Sequence, residues 1–143
     1  MILNSVSTSV FIVSSMTGVY HSKCFQIHRD TGLWYSVEYS SFSVGPEADK
    51  YRLNVSGFSG DEGDALAAPV NQLTRVANGM QFSCLGADND ELAVGLCTGG
   101  RGGWWFNRCT RSLLNYDTNG GWNSVTDENI NDVVFTRMLV KLD

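Results

Sequence analysis

The chain has 143 residues, enough for one domain with a modest core and too few for two. Ten Lys and Arg against fifteen Asp and Glu leave a formal charge of −5, which excludes the basic footprint of a nucleic-acid binder. Hydrophobic content of 43% excludes a disordered chain, and no apolar run approaches the ~20 residues that cross a bilayer, so no membrane partner is expected.

Residues 1–33 form a segment without a clear element, to be read as a leader, a divergent start or a mis-assembled one. Met1 to Ser15 carries no Lys or Arg before its apolar stretch, and Val10-Phe11-Ile12-Val13 is shorter than a signal core of about 7–15 residues. A β-strand and a disordered leader both fit it. His21 and His28 follow, with no Ser or Cys nucleophile motif around them, and the chain is not expected to be an enzyme.

From Leu33 the pattern sharpens, and residues 34–143 read as the domain. Tyr35, Val37 and Tyr39 alternate with polar residues as in a half-buried strand. The phase then slips, with Phe42 and Val44 carrying the apolar face, and a β-bulge near Ser40-Ser41 accounts for it economically. Gly45-Pro46-Glu47-Ala48-Asp49 is a turn, and Tyr51, Leu53 and Val55 open a second, antiparallel strand. Residues 57–63 read as a loop, and Asp64 opens a single helical turn closed before Pro69. From Val70 to Gly121 no periodicity survives, and a stretch of that length needs pins. Val134, Thr136, Met138, Val140 and Leu142 mark a final strand.

Four cysteines, Cys24, Cys84, Cys97 and Cys109, suit a disulfide framework in an oxidising compartment; structural zinc is the rival, although no C-x-x-C pair is present. Asp88-Asn89-Asp90-Glu91 crowds three carboxylates into four residues, which suits either a hard cation such as Ca²⁺ or a solvated acidic turn. Asn54-Val55-Ser56 is an N-glycosylation sequon, with its Asn off the apolar face of the strand. Trp104-Trp105-Phe106 reads as buried anchoring, and Gly99-Gly100-Arg101-Gly102-Gly103 lacks the context of a phosphate loop.

Taken in order, several segments resemble the C-terminal domain of fibrinogen and its relatives, the ficolins, tachylectins, angiopoietins and tenascins. They are Tyr39-Ser40-Ser41-Phe42-Ser43-Val44-Gly45, Tyr51-Arg52-Leu53-Asn54-Val55-Ser56-Gly57-Phe58-Ser59-Gly60, Gly63-Asp64-Ala65-Leu66 and Asn78-Gly79-Met80-Gln81-Phe82-Ser83. Asp88-Asn89-Asp90, Gly102-Gly103-Trp104-Trp105-Phe106-Asn107-Arg108-Cys109 and the Met138 strand complete the set. The order and spacing agree over about Trp34 to Asp143.

The resemblance implies an α+β fold: an antiparallel β core with a long, loop-rich C-terminal subdomain pinned by a disulfide and by calcium. It implies a secreted, lectin-like recognition domain for glycans, acetylated ones included, or for extracellular proteins. Asp88 and Asp90 fall on the family's carboxylate ligands to Ca²⁺, and Leu92 and Val94 on its carbonyl ligands. Cys97 and Cys109 match the family disulfide, Arg108–Cys109 its cis peptide at the pocket floor, and Arg108, Cys109 and Thr110 its ligand-binding segment. Cys24 and Cys84 have no family partners; pairing together, pairing between chains and staying reduced all remain open. The family usually places a His where Thr110 stands, an aromatic where Gly100 stands, and a longer segment than Asn115–Trp122. Those departures define a second expectation, an interaction module that keeps the β core without the sugar pocket. The family's N-terminal subdomain has no counterpart in Met1 to Gly32, so an exposed sheet edge predicts marginal stability or a homo-oligomer.

Overall fold

A computed structural model describes residues 2–4, 18–20, 22–68, 75–93, 97–99, 102–114, 121–122 and 133–141. Its centre is an antiparallel sheet of β1 (Ile2–Asn4), β2 (Gly18–Tyr20), β3 (Ser22–Arg29), β4 (Trp34–Val44), β5 (Leu53–Gly60) and β8 (Val133–Lys141). The order runs β1-β8-β3-β4, with β2 continuing beside β4 past the end of β3 and β5 along the other side of β4. A separate two-stranded pair joins β6 (Ser112–Leu113) to β7 (Gly121–Trp122). Among the described residues the helical content is one 3-10 turn, Glu47–Asp49, behind Pro46. This is the expected antiparallel core with a loop-rich remainder.

Strand β3 lies within the segment that the sequence pattern leaves unassigned, yet it is central. It pairs with β4 from Lys23↔Tyr39 to His28↔Trp34 and with β8 from Ser22↔Lys141 to Arg29↔Val133. The fold therefore has no structural boundary at residue 33. Phe25 and Ile27 supply the core face of this strand, and both are fully buried. Phe25 is the hub of that face, with ring centroids 6.0 Å from Tyr39, 6.3 Å from Phe42 and 5.6 Å from Trp122. Val37, Val44, Leu53, Val55 and Met138 extend the layer, and Leu66, Phe82, Trp104, Phe106 and Leu114 cover it from the loops. The core thus sits between one sheet face and irregular backbone.

The phase slip in β4 is real, but it is not a bulge. Register with β5 holds from Val37↔Gly60 and Tyr39↔Phe58 through Ser41↔Ser56 to Val44↔Leu53. Both strands change face together at Ser40 and Gly57, where Gly57 takes φ 69°. A bulge adds a residue to one strand only, whereas a positive φ turns the backbone without adding one. The same ladder carries β5 on to Gly60, so residues 57–60 are strand and the expected loop starts after them.

Gly60 closes the β4–β5 pair at a position that only glycine fills without strain. Its φ is 152°, and an added Cβ would lie 2.8 Å from Val37 Cα and closer still to the Ser36 carbonyl oxygen. Backbone atoms are unable to rotate away as a flexible side group does. Gly60→Ala is therefore expected to lower stability by roughly 2–4 kcal/mol, strain and overpacking together. Urea melts read this as a lower midpoint at constant slope. An unchanged midpoint would contradict the close approach.

Candidate functional site

The loops that cover the core are tied to the sheet by named hydrogen bonds. Tyr39 Oη donates to Asp64 Oδ1 at 2.5 Å, and the same oxygen accepts from the Leu66 and Ala67 N–H groups at 3.1 and 2.8 Å. Asp64 thus opens the expected turn and clamps it to β4. Burial, followed by the Asp64 hydrogen bond, pushes the Tyr39 phenol far above its ordinary range. Leu53 N–H donates to the Met80 carbonyl at 3.0 Å, and Phe82 N–H to the Lys50 carbonyl at 2.9 Å. Trp122 Nε1 donates to the Gly63 carbonyl at 2.8 Å.

On this base Trp104, Trp105 and Phe106 are buried, as their sequence suggests. Ser83 and Trp104 exchange backbone hydrogen bonds at 2.9 and 3.0 Å. Trp105 Nε1 donates to the Tyr51 carbonyl at 2.7 Å, and its ring meets Phe82 edge-on at 5.3 Å. These contacts replace regular secondary structure. They give the following loop a fixed floor.

The acidic segment folds over itself on that floor. Asp88 Oδ1 accepts from Asp90 N–H at 3.1 Å, while Asp90 Oδ1 accepts from Leu92 N–H at 2.7 Å and Oδ2 from Cys97 N–H at 2.9 Å. Asn89 Nδ2 donates to the Phe82 carbonyl at 2.8 Å, and Glu91 N–H to the Asn107 carbonyl at 2.9 Å. Asp88 is exposed and Asp90 half-buried. The two carboxylates therefore do different jobs: Asp90 organises the loop, and Asp88 faces solvent.

Hydrogen bonds to a charged acceptor contribute roughly 1.5–3 kcal/mol each, and Asp90 accepts two from backbone groups. Asp90→Ala should cost about 3 kcal/mol in the absence of any metal, whereas Asp88→Ala should cost about 1 kcal/mol or less. Denaturant melts in chelator compare them directly. Equal losses for both variants would contradict the assignment.

The expected disulfide is present. Cys97 and Cys109 are bonded with Cα atoms 5.0 Å apart, closing a loop of sequence separation 12. In the chain-entropy account such a closure contributes on the order of 3 kcal/mol. Beside it, Asn107 holds the turn: its N–H donates to the Cys109 carbonyl at 2.9 Å, and its Oδ1 accepts from Arg108 N–H at 2.7 Å. The Arg108–Cys109 bond is trans, not cis as the resemblance implied; Cys109 turns the backbone with φ 60° instead. Arg108 projects into solvent. Thr110 Oγ1 donates to the Ser112 carbonyl at 2.9 Å and accepts from Ser112 N–H at 3.3 Å. Its hydroxyl is thereby committed to its own turn.

The structure brings Asp90, Leu92, Cys97, Cys109 and the Arg108–Thr110 turn together in one loop cluster. Val94, Gly100 and residues 115–120 lie outside the described residues, as does His21. Among the described residues no group of three His, Cys, Asp or Glu side chains converges as a metal site, so backbone carbonyls would have to complete any cation shell at Asp88 and Asp90. Cys24 and Cys84 form no disulfide, and each is half-buried. His28 stacks on Trp34 at 4.4 Å, on the face of β3 opposite the buried Phe25 and Ile27.

Two residues escape the sequence reading. Asn107 looks like an ordinary linker between the Trp pair and Cys109, and no periodicity marks it. Lys23 is fully buried with Nζ 4.1 Å from the Phe42 ring centroid, and desolvation pushes its amine down to about 7. The Lys23-x-Phe25-x-Ile27 alternation is the signal that could have found its inward face.

Comparison with known proteins places this geometry. The family model for the C-terminal globular domain of the fibrinogen beta and gamma chains matches residues 15–137. The human fibrinogen gamma chain is 33% identical over 113 residues, covering 74% of this chain and 25% of that protein. Protein scabrous of Drosophila melanogaster is 35% identical over 106 residues, covering 73% of this chain and 12% of that protein. The fibrinogen-like globe domain of human ANGPTL2 superposes with TM-score 0.70 at 24% identity, covering 87% of this chain and 58% of that one. A lamprey fibrin D-dimer complexed with the peptide Gly-His-Arg-Pro-amide gives TM-score 0.74 at 21% identity, over 99% of this chain and 56% of that one. The sequence thus spans about a quarter or less of the length of these two curated relatives.

Proposed function

The chain belongs to the family of the fibrinogen C-terminal globular domain, and from that membership we propose that it is an extracellular, non-enzymatic recognition module. The reading rests on one observation above the rest. Asp90 and the Cys97–Cys109 bond lock the acidic loop to the Arg108–Thr110 turn, which presents a charged side chain at a rigid, solvent-facing edge. Rigid loops of this kind give a binding partner a preformed surface and reduce the ordering cost of association.

A divalent cation belongs to the proposal. The Asp88 and Asp90 carboxylates and the Leu92 carbonyl are hard oxygen donors of the type that Ca²⁺ takes. Bound there, the ion would neutralise the paired carboxylates and hold the loop against the disulfide. Val94 completes the donor set that the family resemblance implies.

The partner is a glycan or an extracellular protein segment. The commitment of the Thr110 hydroxyl to Ser112 favours the second reading, a protein-interaction module without a sugar pocket. A lamprey relative was solved with Gly-His-Arg-Pro-amide, which makes that peptide one natural probe. The deciding experiment titrates the oxidised protein in Ca²⁺ with this peptide and with a panel of acetylated glycans. Binding of either class, weakened at least tenfold by Arg108→Ala, supports recognition at this turn. Binding unaffected by Arg108→Ala places recognition elsewhere and overturns the site. Glycan binding competed by free acetylated sugar would restore the lectin reading. Association of two copies through the sheet edge belongs to the same proposal, with size-exclusion chromatography as its readout.

A further inference from the structure

The one N-x-Ser/Thr sequon of the sequence, Asn54-Val55-Ser56, lies in strand β5 of the folded sheet and not in a loop. Strand alternation sets its orientation. Leu53 and Val55 are 0% and 6% exposed, so Asn54 and Ser56 both point away from the core, and both are exposed. The period of two also places the Ser56 hydroxyl on the same outward face as the Asn54 amide. Across the ladder stand Ser43, opposite Asn54, and Ser41, opposite Ser56. These are small polar neighbours, and Gly57 beyond them adds no side chain. Nothing bulky on those paired positions obstructs a sugar.

We infer that Asn54 is an N-glycosylation site, modified when the protein passes through a secretory compartment; this rests on the extracellular reading above. In the transfer, Asn54 Nδ2 attacks the anomeric carbon of an oligosaccharide carried on a lipid diphosphate. The C1–N bond forms, the C1–O bond to phosphate breaks, Nδ2 gives up one proton, and the lipid diphosphate leaves. The glycan stands on the outer face of the sheet. The Trp104–Phe106 floor of the acidic loop packs on the opposite, core face. Glycosylation therefore leaves the Asp88–Thr110 cluster uncovered.

The test translates the full sequence behind a cleavable heterologous leader in the presence of microsomes, which reads modification independently of secretion. The expected result is one protease-protected species whose mobility shift collapses on peptide-N-glycosidase treatment, with Asn54 converted to Asp. Asn54→Gln and Ser56→Ala should abolish the shift, and Ser56→Thr should keep it. The glycosylated species should still form the Cys97–Cys109 bond. A translocated, disulfide-bonded protein without glycan overturns the inference and leaves the extracellular reading standing. A glycosylated protein that fails to form the disulfide also overturns it, because the site would then be incompatible with the fold. A protein that is modified in microsomes but stays inside the cells that naturally make it counts against the extracellular reading alone.

Discussion

Lys23→Met is expected to raise the melting temperature at pH 6 and to flatten the stability profile above neutrality. The Lys23 amine is held near pKa 7 in the folded protein by desolvation, against 10.5 in the unfolded state. Between those two values the unfolded state binds more protons than the folded one, so stability rises with pH across that window. Below pH 7 the whole burial penalty is present. At about 1.4 kcal/mol per pKa unit its ceiling is about 5 kcal/mol, the largest single effect anticipated for this protein. Met fills the same space against Phe25 and Phe42 without a charge to bury. Cys24 acts with the opposite sign at higher pH, since burial and then Glu38 push its thiol up. Comparing the two proteins point by point across pH 6–10.5 therefore isolates the lysine. Parallel profiles for wild type and Lys23→Met would contradict the assignment.

Trp104→Ala is expected to cost about 3–5 kcal/mol, while Trp104→Phe should cost far less. The indole is fully buried, meets Trp105 edge-on at 5.4 Å, and sits in the backbone bridge to Ser83. Its Nε1 is buried without a hydrogen-bond partner. Phe keeps most of the ring volume and removes that unpaired donor, so packing lost and polarity removed partly offset each other. Thermal melts of both variants, with disulfide formation checked first, give the comparison. Equal losses would mean that the indole N–H, not its packing, matters here. Small losses for both would deny the Trp pair its role as the floor of the loop.

The strands are legible wherever one face is buried and the other wet. Tyr35 to Val44 and Leu53 to Val55 announce themselves because water and core alternate along them. Strand β3 stays hidden, although it has the same alternation, because a lysine occupies one of its core positions. The face change at Ser40 and Gly57 reads as an inserted residue, since a composition pattern records side-chain phase and not backbone φ. In the loop cluster, the Cys97–Cys109 pairing is within reach through family resemblance. The separate duties of Asp88 and Asp90 are not, because two identical carboxylates two residues apart differ only in which backbone groups turn towards them. Asn107 is invisible for the same reason: its importance lies in hydrogen bonds with Arg108, Cys109, Glu91 and Met80 that no spacing encodes.

The most direct test of the acidic loop as the centre of the functional site is a thermal melt of the oxidised protein in Ca²⁺ and in chelator. A ligand that binds only the folded state stabilises it by about 2.7 kcal/mol at a hundredfold excess over Kd. The melting temperature is expected to be higher in Ca²⁺, a shift that Asp88→Ala abolishes while leaving the chelator melt nearly unchanged. Superimposable melts in Ca²⁺ and chelator for the wild-type protein would contradict it.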